Sequence, residues 1–314
     1  MTLKPKPKIL VVLGPTSSGK SDVAVELAKK HGGEVISADS RQVYRSLDIG
    51  SGKITKREMR GIPHHMLDVA NPKLQFSVAE FKKQADKIIA DIISRDKLPI
   101  LCGGTGFYIQ AVVDDVSLPE VAPDEKLRKK LQNKTAEELF CMLKKLDPRR
   151  AKEIDRQNPR RLIRAIEIAK ALGKVPNLDI HLDIECPSDL GMRPLSHYSV
   201  LQIGLDMSDV KLRQRIHLRF LRRMKQGMVA EVRNLHSKGL SWKRMHSLGL
   251  EYRCLAEYVK SGEKDKEKLQ TCIETGNWHY AKKQRMWFKR DKRILWFEPR
   301  EKKKIEQEVG RFLK

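Results

Sequence analysis

The sequence predicts an α/β fold, a parallel-sheet core interrupted by a helical insertion domain. Four observations carry that expectation. An apolar run from Ile9 to Leu13 has the length of one buried strand of a parallel sheet. It leads into Gly14, Pro15, Thr16, Ser17, Ser18, Gly19, Lys20 and Ser21, which fit the phosphate-loop pattern G-x-x-x-x-G-K-[ST] at every fixed position. A helical stretch with Val23, Ala24, Leu27 and Ala28 follows and stops at Gly32-Gly33. Finally, the segment from about Pro123 to Pro176 shows helical patterns only, while strand character returns at Tyr198. The expected boundaries are 1–118 and 198–314 for the core built on the phosphate loop, and 119–197 for the insertion.

Strand, glycine loop and helix stand in the order that anion binding needs. Glycines let backbone N–H groups curl round phosphate oxygens, and the helix N-terminus adds partial positive charge. Lys20 supplies a full charge, and Ser21 can hold a magnesium ion on the phosphates. The motif is that of nucleotide-binding and ATP-binding proteins, but it does not say which phosphate is held. Glu34 to Ala38 reads as a second strand ending at Asp39-Ser40-Arg41-Gln42. Carboxyl ends of parallel strands face the ligand crevice, so Asp39 is expected beside the phosphate loop. It reads equally as a helix cap or a magnesium ligand. His64 and His65 read as structural, since adjacent histidines cannot share one helix face and no third ligand is suitably spaced.

Ser77 to Glu80 is a capping box opening a helix through Phe81, Ala85, Ile88, Ile89 and Ile92. Pro99 to Cys102 is a third strand, and Gly103-Gly104-Thr105-Gly106 a second glycine loop. Thr105 is a candidate substrate ligand or an ordinary turn threonine. In the insertion, Thr135 to Glu138 is another capping box, and Asn158-Pro159 starts a helix ending at Gly173. Arg160 and Arg164 share a face of it, with Arg161 adjacent. Residues 177–197 read as irregular. Tyr198 to Leu205 is a further strand, and the helix from Asp209 groups Lys211, Arg215, Arg219 and Arg222 with no acidic residue between 211 and 225. Ser247 to Arg253 reads as a short turn motif. The last long helix interleaves Lys282, Lys283, Arg285, Lys289 and Arg290 with Trp287 and Phe288, a mixture that suits nucleic acid.

Composition narrows the partners. The 314 residues hold 64 Lys and Arg against 40 Asp and Glu, a net charge of +24 that favours a polyanion, nucleic acid first. Cys102, Cys141, Cys186, Cys254 and Cys272 stand far apart with no C-x-x-C pair, so no zinc finger or disulfide framework is expected, in keeping with a reducing compartment. With no apolar leader and no run long enough to span a bilayer, the expected place is the cytoplasm.

Taken together, these motifs resemble the tRNA dimethylallyltransferases, also called tRNA isopentenyltransferases. The resemblance covers nearly the whole chain. It rests on GPTSSGKS at 14–21, ISADSRQVYRSLDIG at 36–50, PHH at 63–65, GGTGFYI at 103–109, NPRRLIRAIE at 158–167, the basic helix at 211–225, LGLEYR at 248–253 and AKKQRMWFKR at 281–290. The C-terminal zinc finger of eukaryotic members is absent, so the likeness is to the bacterial type. The resemblance implies transfer of a dimethylallyl group from dimethylallyl pyrophosphate to the exocyclic amine of the adenine just 3′ of the anticodon. It makes Asp39 the general base, with Lys20 and Thr105 beside it in catalysis. It places the donor's pyrophosphate on residues 14–21 with magnesium, clamped by Arg215 and Arg219. It puts the tRNA anticodon stem-loop on Asp39, Ser40, Arg41, Gln42 and Thr105, and on Arg160, Arg161, Leu162, Ile163 and Arg164. Lys282 and Arg285 are further candidates for RNA contact, and the enzyme is expected to act as a monomer. Two other classes fit the same core: an adenylate isopentenyltransferase acting on a free nucleotide, and a small-molecule kinase. The basic insertion and C-terminal helix argue against the first, since a mononucleotide needs no such surface.

Overall fold

The computed structural model describes residues 6–176 and 197–314. The irregular return expected over 177–197 lies, but for its last residue, outside the described residues. The chain divides into two compact units, the second beginning at Val116, three residues before the expected boundary.

Among the described residues the first unit contains six strands: β1 (Lys8–Leu13), β2 (Gly33–Ala38), β3 (His64–His65), β4 (Leu98–Gly103), β5 (Ser199–Leu205) and β6 (Ile294–Phe297). They form one parallel sheet in the order β3-β2-β4-β1-β5-β6. The apolar run in β1 is continuous because both faces of the sheet are covered. Ile9, Val11 and Leu13 point to one face, where α3 (Val78–Ser94) and α4 (Gly106–Val113) pack with Phe288. Leu10 and Val12 point to the other, against α1 (Lys20–His31) and a C-terminal helix, α14 (Lys302–Leu313). The Ser77 capping box is formed and α3 buries Phe81, Ala85, Ile89 and Ile92 on one stripe. A short helix, α2 (Lys56–Met59), carries a further capping box at Thr55.

At the amino end of the sheet, Glu34 is buried at 2 % exposure. Its carboxylate accepts from Arg95 at 2.9 Å, from Lys97 at 3.0 Å and from His65 Nε2 at 2.7 Å. The Arg95 hydrogen bonds outweigh the burial and hold its pKa far below the usual range. A depressed folded-state pKa stabilises the fold above the unfolded pKa, and that stability is lost as pH falls toward the folded value. Glu34→Gln is therefore expected to cost about 2 kcal/mol at neutral pH, less than for a fully buried pair because the partners are partly solvated. In urea unfolding the gap between variant and native chain should close as pH falls below 4.5, the carboxyl's ordinary value.

The regular elements among the second unit's described residues are all helices: α5 (Glu125–Leu131), α6 (Ala136–Leu146), α7 (Pro148–Glu153) and α8 (Pro159–Leu172). It has its own core, with Leu139 and Leu143 of α6 against Leu162 and Ile166 of α8. Asn158 caps α8 and Gly173 ends it, as the sequence predicts.

After β5 the first unit continues through α9 (Asp209–Lys225), α10 (Met228–Ser237), α11 (Trp242–Ser247), α12 (Leu250–Lys260) and α13 (Lys266–Phe288). These helices build a separate apolar cluster around the fully buried Tyr252. Two expectations are corrected here. LGLEYR is not a turn: α12 starts at Leu250, so Glu251, Tyr252 and Arg253 occupy its first turn. Cys254 of α12 and Cys272 of α13 are joined by a disulfide, which their 18-residue separation did not reveal.

Candidate active site

The site is a cavity of about 1080 Å³ at the carboxyl ends of β1, β2 and β4, in the first unit. Its floor is the phosphate loop. Gly19 adopts φ +92° as N-cap of α1, a conformation L side chains rarely take, and it turns the loop into the helix. Lys20 Nζ folds back to donate to the Pro15 carbonyl at 3.2 Å. Loss of solvent lowers the Lys20 pKa, Arg219 pushes the same way, and Asp39 opposes. Ser21 lines the cavity beside it.

Helix α9 brings a row of cations over this loop. The guanidinium of Arg215 lies against Gly19, where an added Cβ would stand 3.2 Å from it. Arg219 donates to Thr16 Oγ1 at 2.9 Å. Burial first, then Arg223, holds the Arg219 pKa below its ordinary value. Arg223, absent from the expected set, is 6 % exposed, donates to the Gly50 carbonyl at 3.4 Å and lies 3.6 Å from Glu251. Its signal was available: 215, 219 and 223 step by four residues along one helix face. Lys211, by contrast, sits 3.8 Å from Glu298 and is not part of the cavity lining.

The opposite wall is the end of β2. Asp39 Oδ1 accepts from Arg41 N at 2.8 Å and Gln42 N at 3.4 Å, so one oxygen closes the turn. Ser40 N donates to Thr105 Oγ1 at 3.0 Å, and Thr105 N to the Ala38 carbonyl at 3.2 Å, tying the second glycine loop to this turn. Gln42 is oriented at both ends, accepting from Ser37 Oγ and donating to the Gly52 carbonyl, each at 3.2 Å. The loop carrying Gly50 and Gly52 is anchored by Glu231 of α10. Its carboxylate accepts from Asp48 N at 3.0 Å, Ile49 N at 2.6 Å, Gly50 N at 3.0 Å and Tyr252 OH at 2.8 Å. Neither Glu231 nor Gln284, which also lines the cavity, was among the expected residues.

The structure thus brings together residues 16, 17, 19–21, 39–42, 215 and 219 around one cavity. Other expected contacts fall elsewhere. In the second unit Arg160 and Arg161 are exposed and Ile163 is half-buried, but Leu162 is fully buried in that unit's core and has no side chain to offer a partner. Arg164 is held by Glu167 at 3.2 Å and by the Val121 carbonyl at 2.8 Å, so it braces the unit. Lys282 is exposed above the Trp278 ring. Arg285 is spent on Asp206 and Asp209, at 2.7 and 2.6 Å, and pins α13 to the start of α9. His65 is bound to Glu34 and His64 Nδ1 donates to the Ile62 carbonyl at 2.8 Å. Among the described residues no group of three His, Cys, Asp or Glu side chains could hold a metal.

Comparison with known proteins places the chain in a family. The profile of the IPP transferase family matches residues 42–291. A tRNA dimethylallyltransferase of Pelotomaculum thermopropionicum is 38 % identical over 294 residues, covering 93 % of this chain and 90 % of its own. The solved full-length tRNA isopentenylpyrophosphate transferase of Bacillus halodurans superposes with a TM-score of 0.70 at 32 % identity, covering 98 % of this chain and 97 % of that one. A eukaryotic dimethylallyltransferase, solved acting on tRNA, gives a TM-score of 0.75 at 25 % identity over 93 % of this chain and 74 % of its own. The chain belongs to the IPP transferase family, that of the tRNA dimethylallyltransferases.

Proposed function

We propose that this chain transfers a dimethylallyl group from dimethylallyl pyrophosphate to the exocyclic amine of the adenine 3′ of the anticodon in tRNA. The observation that carries the reading is one cavity lined by Lys20, Arg215, Arg219 and Arg223 around a phosphate loop, with Asp39 on the same cavity at the end of β2, one strand beyond β4. In the reaction the adenine amine forms a bond to the first carbon of the donor as that carbon's bond to the pyrophosphate oxygen breaks. Pyrophosphate leaves with the electron pair, onto the loop amides and cations. The amine proton goes to the Asp39 carboxylate, whose second oxygen is not used in the turn. An aromatic amine is a poor nucleophile, and removal of its proton lowers the barrier. The adenine must leave its stack to reach the cavity.

A magnesium ion suits these residues. The Ser21 hydroxyl is a hard oxygen donor beside the loop, and few protein ligands are needed by an ion held chiefly through substrate phosphates. When bound, magnesium neutralises charge on the leaving pyrophosphate.

The decisive assay supplies purified protein with labelled dimethylallyl pyrophosphate and offers tRNA or AMP as acceptor. Label in tRNA supports the reading. Preference for AMP would favour a free-nucleotide prenyltransferase, and ATP turnover with a small acceptor would favour a kinase. The net charge of +24 leads to a further expectation, that log affinity for tRNA falls linearly with log salt. Arg160→Ala with Arg161→Ala should flatten that line by about one unit for each phosphate those arginines neutralise in the native chain. A slope unaltered by the double change would place the RNA surface away from α8. No helix among the described residues is long and apolar enough to cross a membrane.

A further inference from the structure

Gln284 lies on α13 within the stretch 281–290, where the sequence drew notice only for its basic and aromatic residues. It is 6 % exposed. Thr16 N donates to its Oε1 at 2.8 Å, and its Nε2 donates to the Gly104 carbonyl at 2.8 Å. The partners fix the amide's orientation, because an N–H requires the oxygen and a carbonyl requires the nitrogen. Thr16 belongs to the phosphate loop. Gly104 belongs to the second glycine loop, one residue before the Thr105 whose hydroxyl holds Ser40 N. A single side-chain amide therefore joins the loop under the leaving group to the loop that supports the turn of the proton acceptor. Gly104 reflects the same approach: an added Cβ would stand on Gln284 Nε2, while keeping 3.4 Å from the Gly14 carbonyl.

We propose that Gln284 is a positioning residue that fixes the phosphate loop relative to the Asp39 turn, and so aligns the donor carbon with the adenine amine. The proposal rests on the dimethylallyl-transfer reading above. In-line displacement needs the attacking nitrogen, the carbon and the leaving oxygen aligned, and a misplacement of about 1 Å can cost about 10²-fold in rate. A buried amide with both ends satisfied resists such drift, since releasing it leaves Thr16 N–H and the Gly104 carbonyl unpaired. Gln284 acts through these two loops and touches neither reacting atom. Its loss should slow the chemical step and leave ground-state binding nearly intact.

The test uses the full chain carrying Gln284→Leu, Gly104→Ala or both. The expected result is a fall in kcat of about 10- to 10²-fold for each single variant, with KM for donor and for tRNA within about threefold of native. The double variant should lose no more than the weaker single variant, because both changes break one connection. Hydrogen exchange at the Thr16 amide should accelerate in each. Native kcat in Gln284→Leu, or additive losses in the double variant, would overturn the proposal. If Gln284→Leu does not fold, Gln284→Glu, which keeps the acceptor and loses the donor, carries the same comparison. Absence of transfer by the unaltered chain overturns the function reading instead, and Thr16 exchange then decides the bridge: no change in Gln284→Leu refutes it.

Discussion

Asp39→Asn is expected to lower kcat for transfer to tRNA by about 10²- to 10⁴-fold, while calorimetric titration shows near-native binding of dimethylallyl pyrophosphate. The substitution isolates one role. Asp39 Oδ1 closes the turn by accepting from Arg41 N and Gln42 N, and an asparagine oxygen accepts those bonds as well. The turn, the Ser40–Thr105 link and the placement of Gln42 should all survive. What asparagine cannot do is take the amine proton. Single-turnover assays with saturating donor measure that loss directly. Near-native kcat would reduce Asp39 to a turn-forming residue. Loss of donor binding together with loss of the magnesium requirement would make it a metal ligand.

The parts legible in the sequence are those whose cause is local. β1, the glycine loop and α1 lie within residues 8–31, and the caps at Ser77, Thr135 and Asn158 act three residues away. Asp39 could be placed because the carboxyl ends of all strands of a parallel sheet open on the same crevice, even with β4 standing between β2 and β1. What escaped depends on partners far along the chain. Glu231 is defined by backbone amides 181 to 183 residues away, and Gln284 by groups 268 and 180 residues away. No periodicity reports such contacts. For the same reason the partners of some cations went unforeseen. Arg164 and Arg285 look like free surface charge until the structure sets Glu167, Asp206 and Asp209 against them. Leu162 stood in a motif otherwise rich in arginine, yet its helical phase points it into the unit's core. β6 follows a run of basic residues and offers four positions, too few for a strand pattern to declare itself.

Lys20→Ala is the second large effect expected, and its signature is thermodynamic as well as kinetic. The cavity crowds Lys20, Arg219 and Arg223 where burial disfavours their charge. An anion on the loop relieves that stress, so pyrophosphate should stabilise the native fold, by about 2.7 kcal/mol when present at about 100 times its Kd. Without Lys20 the loop keeps its amides and the α9 arginines but loses the cation on its own helix. Donor affinity should fall, and kcat with it by about 10²- to 10³-fold, because charge on the pyrophosphate grows toward the transition state. At the pyrophosphate concentration used for the native chain, the stabilisation should drop by about 1.4 kcal/mol for each tenfold loss of affinity. The pH dependence has a definite sign. Lys20 holds its proton less tightly in this cavity than in water, and a bound anion restores that hold. Binding therefore takes up a proton at alkaline pH, and pyrophosphate affinity of the native chain should weaken as pH rises through the depressed pKa. That limb should shrink in Lys20→Ala, where only the arginines of α9, whose pKa values burial also lowers, remain to contribute to it. Equal pyrophosphate affinity, equal kcat and an unchanged alkaline limb in the variant would move the leaving-group site off the phosphate loop.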